Sequence, residues 1–263
     1  MSQDRVIVRP DAPTGVGVLV VSGSSGSLEE QRCRLLAEHG ATALTIRWLG
    51  GPGLQPAPYE VPLELFTAAL DELAGECERL AMVGTSFGAE ASLLVGTLDP
   101  RLTAVVACAP SSVVWAGVDD GRQTSHWTWQ GEPVPYVPFD EHWVPDADPP
   151  AYRGLYETSL RAAPPEAEIP VELITGAVVL VAGEDDQVWP SVEFARRIEE
   201  RRREHGLLAH VVTGRGAGHR IVLPGETPAV RGQSMARGGD PDADRALGEA
   251  AWPHVVEALG LRP

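Results

Sequence analysis

The sequence contains no lysine, few cysteines and no long apolar run. All 21 basic residues are arginines, a usage that we interpret as codon bias. Cys33, Cys77 and Cys108 lie far apart without C-x-x-C spacing, so neither a disulfide framework nor a metal site is expected. No apolar stretch approaches the ~20 residues that a membrane-spanning helix needs. The first residues lack the basic start and apolar core of a signal peptide, so we expect a cytoplasmic protein that spans no membrane.

The charge balance excludes several kinds of partner. The chain carries 37 acidic and 21 basic residues, a net charge of -16 at neutral pH. Nucleic acids and anionic membranes repel such a surface, so we expect neither as a partner. The length of 263 residues and an apolar content of 43% suit a globular protein with a sizeable core.

Apolar runs of strand length alternate with segments of helical spacing along most of the chain. The predicted strands are residues 6–8, 16–21, 41–46, 80–83, 103–107, 177–181 and 209–212. The predicted helices are residues 28–39, 61–77, 89–98, 191–205 and 242–259, the last kinked or broken near Pro253. This order indicates a single α/β domain, residues 1–263, with a mostly parallel sheet and helices on both faces. The carboxyl ends of parallel strands meet at one edge, where sites form.

The periodic pattern stops between about residues 111 and 165. This stretch is rich in proline and holds more than half of the aromatic residues. Because disordered segments are poor in aromatics, we interpret this irregular stretch as a cap inserted over the end of the sheet. The tryptophans predicted to contact a substrate there are Trp115, Trp127, Trp129 and, from a later turn, Trp189.

The centre of the pattern is Gly84-Thr85-Ser86-Phe87-Gly88, which follows a predicted strand and precedes a predicted helix. It matches G-x-S-x-G, in which a serine stands on a sharp strand-to-helix turn. Side chains at the glycine positions would clash with the neighbouring backbone. On the pentapeptide alone, a Gly-Ser turn without chemistry is an equally good interpretation.

Two later turns supply the residues that a serine nucleophile needs. Ser86, Asp186 and His219 each follow a predicted strand, and Ser–acid–His is the chain order of α/β-hydrolases. His219 would accept the serine proton, and Asp186 would orient the imidazole. Asp185 is the rival carboxylate, and either aspartate could instead cap the helix that begins near residue 191. We interpret the other six histidines as solvated or core residues: His39, His126, His142, His205, His210 and His254.

Two further features carry predictions. An oxyanion hole would use the backbone N–H of Phe87 and one from Ser24 or Ser25, in a loop of small residues after a strand. A local basic cluster could meet a phosphate-bearing carrier or form a solvated helix face, which is the more common case. Its members are Arg196, Arg197, Arg201, Arg202 and Arg203.

Four motifs together resemble a known family. They are Ser24-Ser25-Gly26-Ser27-Leu28-Glu29-x-x-Arg32, Gly84-Thr85-Ser86-Phe87-Gly88-Ala89-Glu90, Gly183-Glu184-Asp185-Asp186 with Trp189-Pro190-Ser191, and Gly216-Ala217-Gly218-His219. In this order they resemble the catalytic domain of the acyl-CoA thioesterase / bile acid-CoA:amino acid N-acyltransferase family. The resemblance implies an α/β-hydrolase fold with an aromatic-rich cap insertion.

The resemblance also implies a thioester substrate, on coenzyme A or on an acyl carrier protein. The family forms an acyl-enzyme on serine in its hydrolases and on cysteine in its amino acid N-acyltransferases, and Ser86 matches the hydrolase form. Asp186 then corresponds to the acid and His219 to the base, with no metal and no cofactor. The same residues leave transfer to an amine or alcohol, cleavage of an oxygen ester, and a non-catalytic binding protein open as alternatives.

Overall fold

The computed structural model describes residues 4–228 and 233–263. Their strands, in chain order, are β1 (Arg5–Val8), β2 (Val16–Val21), β3 (Thr42–Ile46), β4 (Val61–Pro62), β5 (Arg79–Thr85), β6 (Leu102–Cys108), β7 (Ala116–Asp119), β8 (Arg122–Ser125), β9 (Trp127–Trp129), β10 (Glu132–Pro133), β11 (Ala177–Gly183) and β12 (His210–Gly214). The α-helices are α1 (Glu30–Glu38), α2 (Glu64–Ala74), α3 (Phe87–Leu98), α4 (Arg153–Ser159), α5 (Ser191–Glu204) and α6 (Pro241–Leu259). None of these helices is long and apolar enough to span a bilayer.

The central sheet has seven strands in the order β1-β3-β2-β5-β6-β11-β12. Its neighbouring strands pair in parallel except at one edge, where β1 runs antiparallel to β3. The predicted mostly parallel sheet is therefore confirmed. The carboxyl ends of β5, β11 and β12 lie at the same edge, and the loops that follow them carry the candidate site.

Alternating side chains of the central strands enter two different cores. Leu19 and Val21 of β2 join the apolar cluster under α2, α3 and α5, whereas Val16, Val18 and Val20 join the cluster under α1 and α6. All six residues of β2 are buried. Burial on both faces explains why the strands appear in the sequence as continuous apolar runs.

The prediction of one helix over residues 61–77 is wrong at both ends. Helix α2 begins at Glu64, and β4 pairs in parallel with β9 instead of joining the helix. The Val61 amide donates to the carbonyl of His126 at 2.8 Å, and the Leu63 amide donates to that of Thr128 at 3.0 Å. These partners lie far along the chain, so local helical spacing does not show them.

The stretch 111–165 is more regular than its sequence indicates. It holds the β7–β8 hairpin, the short β9–β10 pair and α4. Trp127 anchors it because its buried ring packs against Trp48 and Phe66 in the central core. The prediction that this segment is irregular is therefore wrong. The boundaries of the cap and the single domain over residues 1–263 stay predictions. Residues 1–3 and 229–232 of that domain lie outside the described residues.

The last helix continues through Pro253, so the predicted break is wrong, whereas the alternative of a kink there stays a prediction. The Asp240 side chain accepts hydrogen bonds from the first-turn amides of Asp242 and Ala243, and Gly260 ends the helix with φ 65°. Both ends are therefore capped. Pro253 removes one backbone donor from the helix, while Leu247, Ala251, Val255 and Leu259 of α6 still pack in the core against the sheet.

Candidate active site

Ser86 occupies a strained turn between β5 and α3. Its φ of 58° and ψ of -123° are a conformation that residues other than glycine rarely adopt. The flanking glycines are necessary because a Cβ on Gly84 would lie 2.0 Å from the Gly88 carbonyl oxygen. A Cβ on Gly88 would lie 2.4 Å from the carbonyl oxygens of Val21 and Ser22. The predicted strand–turn–helix geometry of the G-x-S-x-G stretch is what the structure contains.

We expect Gly84→Ala to lower the free energy of unfolding by about 3 kcal/mol, because a methyl group there must displace backbone. Urea denaturation followed by circular dichroism measures the change. Gly154→Ala in α4 is the control, since its nearest neighbour would be the movable Trp143 side chain at 3.3 Å. Equal stability of the two variants would contradict the packing argument.

The three predicted residues form one hydrogen-bonded chain. The Ser86 Oγ lies 2.9 Å from His219 Nε2, and the His219 Nδ1 lies 2.8 Å from Asp186 Oδ2. Because a carboxylate can only accept, Nδ1–H donates to Asp186, and Nε2 is left to accept the serine proton. His219 and Asp186 are buried, and Ser86 is 9% exposed. In this geometry the three side chains could act as a nucleophile, a base and an orienting acid.

The structure distinguishes Asp186 from its neighbour Asp185. The second oxygen of Asp186, Oδ1, accepts from the amides of Val188 and Trp189 at 2.8 and 3.2 Å, so the carboxylate is held rigidly towards His219. Asp185 is exposed and accepts from the Gly239 amide, a bond that lowers the pKa of its carboxyl. Neither carboxylate caps α5, whose N-terminal residue has no side-chain cap.

His219 is fixed by its backbone and by an aromatic neighbour. Its amide donates to the Arg237 carbonyl at 2.9 Å, and its ring stands edge-on to Trp189 with 5.5 Å between ring centroids. The preceding Gly218 is tightly enclosed, since a Cβ there would lie 2.3 Å from the Gly238 carbonyl oxygen. The turn after β12 therefore presents the imidazole in one position.

The predicted oxyanion donors lie around the same serine. Phe87 is the first residue of α3, so its amide has no acceptor within the helix. Ser24 and Ser25 line the cavity beside Ser86. Gly23, which the sequence reasoning missed, also lies close to this serine, because a Cβ there would lie 3.1 Å from the Ser86 Cβ. The available signal was its position in the loop that follows β2. The identity of the second donor stays a prediction.

Ser86 and His219 open into a cavity of about 880 Å³. One part of its lining is apolar: Phe87, Ala116, Val118, Phe139, Leu155 and Val188. Another part is polar and includes Glu29, Arg32, Arg220, Glu226, Gln233 and Arg237. A cavity with both kinds of wall suits a ligand that has an apolar and a polar end.

The four predicted tryptophans are not among the described residues that line the cavity. Trp115 stacks on Phe139 with 5.9 Å between ring centroids, and Trp189 packs against Phe87 at 5.6 Å. Trp127 lies in the central core and Trp129 packs against it. Trp115 and Trp189 therefore support the wall from behind, and contact of any of the four tryptophans with a substrate stays a prediction.

The basic cluster on α5 is largely occupied within the protein. Arg202 is buried and donates to the carbonyls of Val171, Ile174, Gly176 and Leu208. Arg201 pairs with Glu168 and Glu172. Two other arginines of the cluster, Arg197 and Arg203, pair with glutamates on the same helix. A carrier phosphate that bound this cluster would have to displace these carboxylates. The alternative prediction of a wholly solvated helix face is wrong, because Arg202 is buried.

Cys108 lies beside Ser86, and the described residues contain no group of side chains that could hold a metal ion. Burial raises the pKa of the Cys108 thiol to about 11, so this cysteine, whose carbonyl accepts from the Ser86 amide, remains a weak nucleophile at neutral pH. Within residues 4–228 and 233–263, no group of histidine, cysteine and carboxylate side chains is arranged to hold a metal ion.

Comparison with solved structures defines the fold class. A monoacylglycerol lipase from Paleococcus ferrophilus superposes with a TM-score of 0.58 and 18% identity, covering 97% of each chain. At this identity the likeness shows the fold alone, and that fold is the α/β-hydrolase fold.

The family follows from the sequence. The chain belongs to the BAAT / acyl-CoA thioester hydrolase C-terminal family, whose model matches residues 61–260. An acyl-coenzyme A amino acid N-acyltransferase 2 from Rattus norvegicus is 25% identical over 251 residues, covering 91% of this chain and 58% of its own. The acyl-coenzyme A thioesterase 6 of Homo sapiens is 25% identical over 269 residues, covering 94% and 60%. The chain thus spans about three fifths of the length of these relatives.

Proposed function

We propose that the protein is a serine hydrolase that cleaves an acyl thioester through an acyl-enzyme on Ser86. The observation that carries the proposal is the continuous chain of hydrogen bonds from Ser86 through His219 to Asp186, at the mouth of a cavity. The family, which includes relatives named as thioesterases, supports the choice of a thioester.

The reaction follows from the positions of the three side chains. As the Ser86 Oγ attacks the acyl carbon, its proton moves to His219 Nε2, and the imidazolium is stabilised by the buried Asp186 carboxylate. The thioester C–S bond breaks, and the sulfur leaves with the proton of His219. A water molecule that is then deprotonated by His219 attacks the acyl-enzyme and releases the acid.

The cavity supports an acyl group on the apolar wall and a carrier at the polar wall. Arg220 and Arg237 line the polar side, where burial lowers the pKa of Arg237 and the like charge of Arg220 lowers it further. The polar wall carries both arginines and carboxylates, among them Arg237, Glu29 and Glu226, and it suits a polar carrier, either coenzyme A or the phosphopantetheine arm of a carrier protein.

The relative named as an N-acyltransferase supports a second candidate, transfer of the acyl group to an amine.

A panel of acyl-CoA thioesters and matching oxygen esters separates hydrolysis, transfer and ester cleavage. The panel is assayed with and without an amine acceptor, and the products are analysed by mass spectrometry. We expect free acid from the thioesters. Absence of turnover together with absence of labelling by a fluorophosphonate would overturn the proposal.

We expect Asp186→Asn to lower kcat by about 10³–10⁴-fold, because an amide cannot hold the imidazole in the productive tautomer. Asp185→Asn is the matched control, since its side chain contacts the Gly239 loop and not His219. It should change kcat less than threefold. Steady-state kinetics with the best thioester of the panel measure both variants, and equal losses would show that Asp186 has no special role.

A further inference from the structure

Glu90 is a buried carboxylate that the proposed mechanism does not use. It is the one charged residue in α3, and its exposed fraction is 0%. Its Oε1 lies 2.8 Å from the Trp127 Nε1, 3.1 Å from the Trp115 amide and 3.4 Å from the His126 Nδ1. Its Oε2 has no hydrogen-bond partner in the part of the chain that the structure describes. A buried carboxylate is costly, so these donors are what keeps it inside.

His126 is placed by Glu90 at the cavity. The imidazole is 2% exposed, belongs to the lining that includes Ser86 and His219, and lies on the Phe87 ring with 4.1 Å between ring centroids. Because a carboxylate can only accept, the proton between the two groups is assigned to Nδ1, which leaves a lone pair on Nε2. No residue within 4–228 or 233–263 bonds to that Nε2.

We propose that His126 is a specificity-determining residue whose Nε2 accepts a hydrogen bond from an O–H or N–H group of the bound substrate. The inference rests on the proposed function, since Ser86 is taken as the point of acyl attachment. His126 moves no proton in this proposal, and bonds break and form only at Ser86 and His219.

The geometry also limits where that donor lies. Phe87 and Glu90 are three residues apart on one face of α3, and the Phe87 amide is the expected oxyanion donor. The His126 and Phe87 rings are in contact and line the same cavity as Ser86, so the group that His126 binds is expected near the acyl carbonyl. Such a donor is either a hydroxyl near the start of the acyl group or the N–H of an acceptor amine.

A matched substrate pair tests the first source. Butyryl-CoA and 3-hydroxybutyryl-CoA differ by one hydroxyl, and His126→Phe replaces the acceptor by an apolar ring. We expect this variant to lower kcat/KM for the hydroxylated thioester about tenfold, with a change below threefold for butyryl-CoA. His126→Gln, whose amide oxygen can accept at a similar distance, should recover part of the preference. His126→Leu is the second apolar variant if the phenylalanine variant does not fold.

The amine arm and a binding measurement complete the experiment. The second source is tested with butyryl-CoA and the amine glycinamide. If His126 binds the N–H of the amine, His126→Phe should lower the ratio of amide product to acid product about tenfold. Binding of both thioesters to the Ser86→Ala variant, with and without His126→Phe, is measured by calorimetry. It gives the preference for the hydroxylated thioester over butyryl-CoA without turnover. Failure of wild type to cleave thioesters refutes the proposed function alone. Equal binding of the two thioesters together with an unchanged amide ratio overturns the role of His126.

Discussion

Replacement of Ser86 by alanine is expected to lower kcat for thioester hydrolysis by about 10⁴–10⁶-fold, because residues of a triad act as a unit. Without Oγ there is no acyl-enzyme, and His219 and Asp186 can only assist direct attack by water. The residual rate should come from binding and from the backbone donors around the carbonyl. Pre-steady-state kinetics with acyl-CoA measure the burst, which should vanish in the variant.

The control for this substitution is Ser112→Ala. Ser112 is also buried, and its Oγ has no hydrogen-bond partner among the described residues, so its loss should leave kcat and stability nearly unchanged. Labelling by a fluorophosphonate should disappear in Ser86→Ala and persist in Ser112→Ala. Full thioesterase activity in Ser86→Ala would remove the basis for an acyl-enzyme.

The local part of the site could be predicted because it depends on neighbours in the chain. A glycine on each side of Ser86, an apolar strand before it and a helix after it specify the turn by sterics alone. Asp186 and His219 could be placed because parallel strands end at one edge of the sheet, so the loops after β11 and β12 lie beside Ser86.

The part that could not be predicted depends on contacts between distant segments. The pairing of β4 with β9 and the bonds of Glu90 to Trp115, His126 and Trp127 join residues whose separation follows no period. One signal was present, since Glu90 is the single charge in an otherwise apolar helix and so had to be buried with donors around it. The four tryptophans are not among the described residues that line the cavity, because large apolar rings gain most from burial, and their contact with a substrate stays a prediction.

The Arg32–Glu226 pair is expected to contribute most to stability among single ion pairs near the site. It is bidentate, with N···O distances of 2.8 and 2.9 Å, and its side chains are only 6% and 9% exposed. Burial lowers the pKa of the Arg32 guanidinium, but the charge and hydrogen bonds of Glu226 outweigh it, so the net direction is upward. Arg32 also donates to the Thr85 hydroxyl beside Ser86 at 2.8 Å.

We therefore expect Glu226→Gln to lower the free energy of unfolding by about 3–5 kcal/mol, because it leaves a buried guanidinium without its countercharge. Glu200→Gln is the control, since the Arg203–Glu200 pair is more than 60% exposed on both sides and should cost below about 1 kcal/mol. Adding Arg32→Met to Glu226→Gln should restore part of the loss, since the unpaired charge is then removed. Urea denaturation of the four proteins measures the differences. Arg32 bonds to both Glu226 and Thr85, so it connects the segment after His219 with the end of β5. If Glu226→Gln costs no more than Glu200→Gln, water reaches the guanidinium and this connection does not contribute to stability.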